Sequence, residues 1–176
     1  MKSIKEFFNL NLNEKVGFAL PIGAILTVLT FAFIIATFYL YFYKLSSTTL
    51  YKRLLRYNAV SEEKARSFSE LKLEKVRSII FALKSGGEIT RIVRIAGEEK
   101  LTYDEYLERS KKKGYKEKKR DYKTAKFYID GEKSDRAKAL ASENVSIIKP
   151  IVVSAVLLAL FIALVFTLPS LISLID

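Results

Sequence analysis

The chain has 176 residues, of which 50% are hydrophobic, and a formal net charge of +11. It contains neither cysteine nor histidine, which excludes disulfides and zinc sites of the usual Cys/His kind. Catalytic Ser-His-Asp and Cys-His arrangements are excluded for the same reason. An enzyme would have to use carboxylates, Lys, Ser, Thr or Tyr alone, so we expect no catalysis and no cofactor.

Residues 1–15 are predicted to form an amphipathic N-terminal tail. Ser3 and Glu6 match a capping box that would open a short helix. Phe7 and Phe8 lie close to lysines, a pattern typical of a helix that rests at a membrane surface. A frayed tail fits the same residues.

Residues 16–43 form the first of two long runs without a charged residue. A run of this length can cross the ~30 Å hydrocarbon core of a bilayer as a helix. It ends in an aromatic cluster between Phe38 and Tyr43, as is typical at headgroup depth. A signal peptide would have a shorter apolar region followed by small residues. We predict a transmembrane helix over 16–43 and a juxtamembrane helix over 44–60, which would either continue the first helix or lie along the membrane surface.

Residues 150–175 form the second uncharged run and are predicted to be another transmembrane helix. Between Ile151 and Leu168, thirteen of eighteen positions are Ile, Val, Leu or Phe, each of which favours insertion by roughly 0.3–0.6 kcal/mol near the helix centre. Neither run contains Asp, Glu, Lys, Arg, His, Asn or Gln. This argues against an ion pathway, a proton relay or an intramembrane protease within this chain.

Small residues recur every four positions on both predicted spans. Such spacing lets helix backbones approach closely in a membrane, although alanine is also common in these helices without any packing role. We predict a packing face, which would contact the other span or a partner protein. These positions are Ala155, Ala159, Ala163 and Thr167 on the second span, and Ala19, Gly23 and Thr27 on the first.

Residues 61–147, between the spans, are predicted to fold as a small basic α+β domain. Ser69 is a candidate N-cap for a helix whose apolar residues recur at helical spacing over 73–83. Gly86 and Gly87 then end that helix.

Two further segments of this region predict strands. Residues 88–95 and 122–130 are rich in β-branched or aromatic side chains, and they would form a two- or three-stranded sheet. Thr102 and Glu105 match a capping box that opens another helix, and a final short helix is expected at 135–141.

The most basic segment of the chain is 109–126, in which ten basic residues face only Glu117 and Asp121. It would bind an anionic membrane surface, where each Lys or Arg contributes about 1 kcal/mol. Nucleic acid is an alternative, with Tyr115 and Tyr122 stacking on bases, and a solvated loop is a third. The candidate binding residues are Arg109, Lys111, Lys112, Lys113, Lys116, Lys118, Lys119, Arg120, Lys123 and Lys126.

The distribution of basic residues predicts the orientation in the membrane. Eight basic residues flank the spans on the loop side, three lie in residues 1–15, and none follows the second span. The positive-inside rule then places the loop in the cytoplasm, although loops of more than about 60 residues can cross a membrane regardless of charge.

Together these features predict a multi-pass protein of the cell membrane, with two transmembrane helices flanking a small α+β soluble domain in the cytoplasm. The expected function is that of a non-enzymatic accessory or scaffold subunit. Its expected partners are the lipid bilayer, anionic lipid headgroups, and other membrane protein subunits or a second copy of the chain. The alternative is a membrane-tethered module that binds nucleic acid.

Overall fold

The computed structural model describes residues 4, 7–8, 11–12, 20–73, 76–98 and 121–172. The chain divides into two compact units. Met1–Phe42 and Ser146–Asp176 form the helical unit, and Tyr43–Val145 form the sheet unit. Two helices are long and apolar enough to span a membrane, and a small region of helix and sheet separates them in the sequence.

Helix α1 covers Ile22–Arg56, and its first part belongs to the helical unit. It is preceded by a short antiparallel pair, β1 (Asn11–Leu12) and β2 (Leu20–Pro21). The described helix therefore begins at Ile22, after the start of the predicted span at residue 16. Pro21 has no N–H to donate within a helix, which favours a start after it.

At its other end, α1 continues through Arg56 without a break at residue 43 or 44, so the juxtamembrane helix continues the first one. No glycine or proline interrupts this stretch. The hydroxyls of Ser47 and Thr49 donate to carbonyls one turn back, at 2.9 and 2.7 Å, so these polar side chains are accommodated within the helix.

The rest of the sheet unit alternates short helices and strands. A 3-10 turn at Glu62–Lys64 precedes β3, and another at Gly131–Lys133 precedes α4. The elements in chain order are β3 (Arg66–Ser67), α2 (Val76–Ser85), α3 (Glu88–Ile92), β4 (Val93–Ile95), β5 (Lys126–Ile129) and α4 (Ser134–Ser142). Helix α5 (Ile148–Ile172) returns the chain to the helical unit.

The three strands form one antiparallel sheet in the order β3-β5-β4. Phe127 of the central strand pairs with Arg66 on one side and with Ile95 on the other. Phe127 and Ile129 are fully buried, and the Phe127 ring stacks on Phe68 at 4.4 Å. A small sheet was expected, but β3 has only two residues and carries no recognisable sequence pattern.

The prediction of a strand over 88–95 was wrong for its first half. Residues Glu88–Ile92 form helix α3, and only Val93–Ile95 form a strand. Ile89 and Ile92 are both buried, because their three-residue spacing puts them on one helix face. This packing outweighs the β-propensity of the sequence EITRIVRI.

One hydrophobic core holds the sheet unit together. Helix α1 contributes three of its largest buried side chains, Leu50, Tyr51 and Leu54. The other buried members of this core are Ala59, Phe68, Leu71, Ile79, Ala82, Leu83, Ile89, Ile92, Val93, Phe127, Ile129, Ala137 and Ala141.

Candidate functional site

Helix α5 buries one stripe of its surface within the helical unit. Pro150, Ser154 and Val165 are buried, and Leu157 and Phe161 are half-buried. Their spacing of three and four residues defines a single helix face. Most of the remaining large apolar side chains of α5 are exposed in the isolated chain.

The predicted small-residue stripe lies on the opposite side of α5. Ala155, Ala159, Ala163 and Thr167 are all exposed. At about 100° per residue, the centre of this stripe is about 180° from the buried face. It is therefore not the face that α5 buries within its own chain.

On α1, Gly23 is buried and Thr27 is half-buried, whereas Ala19 lies outside the described residues. A Cβ atom at Gly23 would collide with the carbonyl oxygen of Phe7, so only glycine permits this approach. The Phe7 side chain is fully buried, and its ring meets Phe161 edge-to-face at 5.8 Å. Phe7 thus packs against both helices, a contact that the expectation of a surface tail did not include.

Of the predicted basic run, the structure describes only Lys123 and Lys126, and both are exposed. The other eight basic residues of the run lie outside the described residues, as does Tyr115. Tyr122 is half-buried and borders a small cleft beside Arg94. The proposed stacking of the two tyrosines on bases therefore stays a prediction.

The turn that leads into β5 is held by Asp121. Its carboxylate accepts hydrogen bonds from the Lys123 N–H at 3.1 Å and the Thr124 hydroxyl at 2.9 Å. These bonds lower the pKa of the Asp121 carboxyl, so the turn carries a fixed negative charge beside the basic residues.

A second basic feature, which the sequence did not indicate, is a cleft of about 190 Å³ in the sheet unit. Arg53 and Lys72 contribute its positive charge. The hydroxyl side chains of Ser46, Thr49 and Ser78 line it as well. Leu73 and Ile79 complete its wall.

Helix α1 and one tight turn position the two cations of this cleft. Ser46, Thr49 and Arg53 are three and four residues apart on α1, which puts them on one face. Lys72 comes from the turn after β3 and has a φ of 51°, a left-handed conformation that is uncommon outside glycine.

Hydrogen bonds around Ser67 and Glu70 hold that turn in place. The Ser67 N–H donates to the Glu70 carboxylate at 2.7 Å, and the Ser67 hydroxyl reaches the same oxygen at 2.9 Å. The Lys72 N–H donates to the Ser69 carbonyl at 3.1 Å. The bonds from Ser67 lower the pKa of the Glu70 carboxyl, which keeps it charged.

Tyr43 joins α1 to the turn between α2 and α3. Its hydroxyl donates to the Gly86 carbonyl at 2.8 Å and lies 3.4 Å from the Ile89 N–H, from which it accepts. Gly87 has a φ of 82°, and a Cβ there would come within 3.1 Å of the Tyr43 hydroxyl. The expected ending of α2 at this glycine pair is confirmed.

Sequence reasoning missed the cleft because its parts are distant in the chain. The spacing of Ser46, Thr49 and Arg53 was a usable signal once α1 is known to continue past residue 43. Nothing local to Lys72 indicates that it faces the same space, since that depends on how the turn packs.

Comparison with known protein families, curated proteins and solved structures finds no match to this chain. Among the described residues, no group of three or more Asp or Glu side chains is arranged to hold a metal ion. The interpretation of function therefore depends on the two helices and on the chemistry of the sheet unit.

Proposed function

We propose that this protein is a non-enzymatic accessory or scaffold subunit of a membrane assembly, which spans the membrane twice. This proposal depends on one observation: both long helices expose many large apolar side chains. Val28 and Ile35 on α1 are each 68% exposed, and Leu160 on α5 is 58% exposed. Soluble proteins seldom expose contiguous apolar surface on this scale, and a bilayer would cover it.

The two faces of α5 support the role of a subunit. The buried face packs within the chain, as the contact between Phe7 and Phe161 illustrates. The stripe from Ala155 to Thr167 remains exposed. Small residues in a membrane allow close approach of another helix, so this stripe is the proposed contact with another subunit or a second copy.

The sheet unit is the proposed cytoplasmic domain. Residues 43–145 hold 26 basic and 16 acidic residues, which gives this unit its strongly positive charge. The positive-inside rule favours the cytoplasmic side for the segments that flank the spans. Exposed lysines such as Lys123 and Lys126 then face an anionic leaflet, which attracts them.

Cysteine labelling tests this topology, since the chain has no cysteine of its own. Ala139→Cys places a thiol on the exposed surface of α4, and a cysteine appended after Asp176 marks the far end of α5. In intact cells, an impermeant maleimide should react only with the appended cysteine. Labelling of the Ala139→Cys variant before lysis would overturn the orientation, and release of the protein by alkaline carbonate would overturn membrane insertion.

Purification from native membranes tests the role of a subunit. A stoichiometric protein partner, or a stable oligomer of this chain, is the expected result. Bound nucleic acid without a protein partner would instead support the alternative of a tethered nucleic-acid-binding module.

A further inference from the structure

We propose that the cleft between α1 and the turn at Lys72 binds a single phosphate group, carried by an anionic lipid headgroup or by a soluble phosphate. The cleft offers two cationic side chains, Arg53 and Lys72, beside several hydroxyls. An arginine can hold a phosphate through two parallel N–H bonds, and a lysine adds a point charge.

The charges of the cleft are not neutralised by the protein. Within the described residues, neither Arg53 nor Lys72 forms an ion pair or a side-chain hydrogen bond with an acidic group. Some exposed basic residues in this unit do pair, such as Lys44 with Glu143 and Arg136 with Glu88 at 2.7 Å. Two unpaired cations around one space repel each other, and an anion between them removes that repulsion.

Ser46 gives a second indication of a ligand. It is only 6% exposed, yet among the described residues its hydroxyl has no hydrogen-bond partner, and it lines the cleft. The neighbouring Ser47 and Thr49 hydroxyls donate to carbonyls of their own helix. Because the Ser46 hydroxyl is not used within the helix, it is available to donate a hydrogen bond to a phosphate oxygen in the cleft.

The left-handed backbone of Lys72 is a third indication. A non-glycine residue in this conformation costs on the order of 1 kcal/mol or more, and such strain clusters at ligand sites. The hydrogen bonds of the turn from Ser67 to Lys72 fix this backbone geometry, so the point from which the lysine side chain leaves the backbone is set before any ligand binds.

Size selects the ligand class. Sites for drug-sized molecules enclose roughly 300–1,000 Å³, whereas this cleft encloses about 190 Å³. It therefore suits a compact anionic group better than a nucleotide with its base and sugar. The apolar wall of Leu73 and Ile79 would face the uncharged part of a headgroup.

The position along α1 favours a lipid as the source, a step that rests on the proposed membrane insertion. The uncharged run ends at Tyr43, and Ser46 lies about 5 Å further along the helix axis at 1.5 Å per residue. The headgroup layer extends roughly 5–8 Å beyond the hydrocarbon core. With the aromatic cluster that ends at Tyr43 at headgroup depth, Ser46 would lie at the outer edge of this layer, and Arg53 lines the same cleft.

Binding can be measured on the full chain in a non-ionic maltoside detergent. Dihexanoylphosphatidic acid, inorganic phosphate and dihexanoylphosphatidylcholine are titrated separately, and the thermal midpoint is followed, since a ligand that binds only the folded state raises it. The test variant is Arg53→Gln with Lys72→Gln. The matched control is Arg91→Gln with Lys64→Gln, which removes the same charge from exposed positions outside the cleft.

We expect saturable stabilisation by phosphatidic acid that exceeds the effect of phosphatidylcholine. The cleft variant should bind at least about tenfold more weakly, because it loses charge-assisted hydrogen bonds, while the control double variant should bind like the wild type. Ser46→Ala should weaken binding a few-fold with no change in charge. Inorganic phosphate that binds as tightly as phosphatidic acid, with the same dependence on the cleft, would support the site and assign it to a soluble ligand.

Absence of saturable binding by both phosphates would overturn the proposal, as would equal losses in the cleft and control variants. A single-stranded oligonucleotide that binds more tightly than either probe, and only with the cleft intact, would overturn it in favour of nucleic acid. These measurements in detergent do not depend on orientation or on a partner. Failure of the phosphate site is therefore distinguishable from failure of the proposed membrane topology, which cysteine labelling reports.

Discussion

At the residue scale, the Tyr43 hydroxyl links helix α1 to the turn between α2 and α3 within the sheet unit. Tyr43→Phe removes the donor to the Gly86 carbonyl and the acceptor for the Ile89 N–H. We expect the sheet unit to lose about 1 kcal/mol of stability, which corresponds to a fall of a few degrees in the thermal midpoint. Differential scanning fluorimetry of the full chain in detergent measures this change.

Tyr41→Phe is the matched control for that substitution. The Tyr41 ring packs against Phe42 at 5.2 Å, but among the described residues its hydroxyl has no hydrogen-bond partner. Its removal should leave the midpoint within about one degree of the wild type. If both variants melt alike, the bonds of Tyr43 contribute nothing measurable.

The sequence predicted where the backbone needs glycine, but it did not predict contacts between residues that are far apart in the chain. Gly86 and Gly87 were expected to end a helix, and both have positive φ angles, because this backbone geometry depends on the residue itself. Tyr43 was interpreted only as part of an aromatic cluster at headgroup depth. Its partners lie 43 and 46 positions away, a pairing that no local pattern encodes.

At the element scale, helix α5 buries one face within its own chain and leaves the stripe of small residues exposed on the opposite face. The proposed contact with another helix would use only the exposed face. Ala159→Leu and Ala163→Leu place bulk on the exposed stripe. Each should weaken association with a neighbouring helix by about 1–2 kcal/mol. Contacts within the chain should be unaffected, because Ser154 and Val165 are buried on the other side. Crosslinking in native membranes, scored against total protein, measures the association.

Leu164→Phe is the control for the stripe, since Leu164 is 39% exposed and lies outside the stripe of small residues. Leu157 is less suitable, because it is half-buried on the inner face and added bulk would disturb the chain itself. Equal crosslinking by all three variants would mean that the alanines reflect composition alone.

The elements themselves were predicted with uneven success, for physical reasons. Long apolar runs and the stripe of α2 were recognisable because each repeats over several turns. Helix α3 was mistaken for a strand because five residues are too few to show a period, and their β-branched side chains favour a strand. Strand β3 exists only through its pairing with β5.

At the scale of the whole molecule, the boundary of the folded domain is the main departure from the sequence prediction. A domain over 61–147 was expected, whereas the compact sheet unit covers Tyr43–Val145. The cleft of Arg53 and Lys72 likewise joins α1 to the rest of this unit. The sequence suggested a boundary after residue 43 because hydrophobicity falls there. The same helix continues to Arg56, and its last turns pack into the core of the sheet unit.

This boundary makes a prediction about isolated fragments. A fragment of residues 43–147 should unfold cooperatively in urea and give a dispersed amide NMR spectrum, whereas 61–147 should do neither. The shorter fragment lacks Leu50, Tyr51 and Leu54, whose side chains are at most 2% exposed in the core. Burial of each contributes roughly 1.5–3 kcal/mol, and their sum is comparable to the 5–15 kcal/mol that stabilises a typical domain. Equal urea midpoints for the two fragments would show that α1 is dispensable for folding and would restore the domain boundary near residue 61.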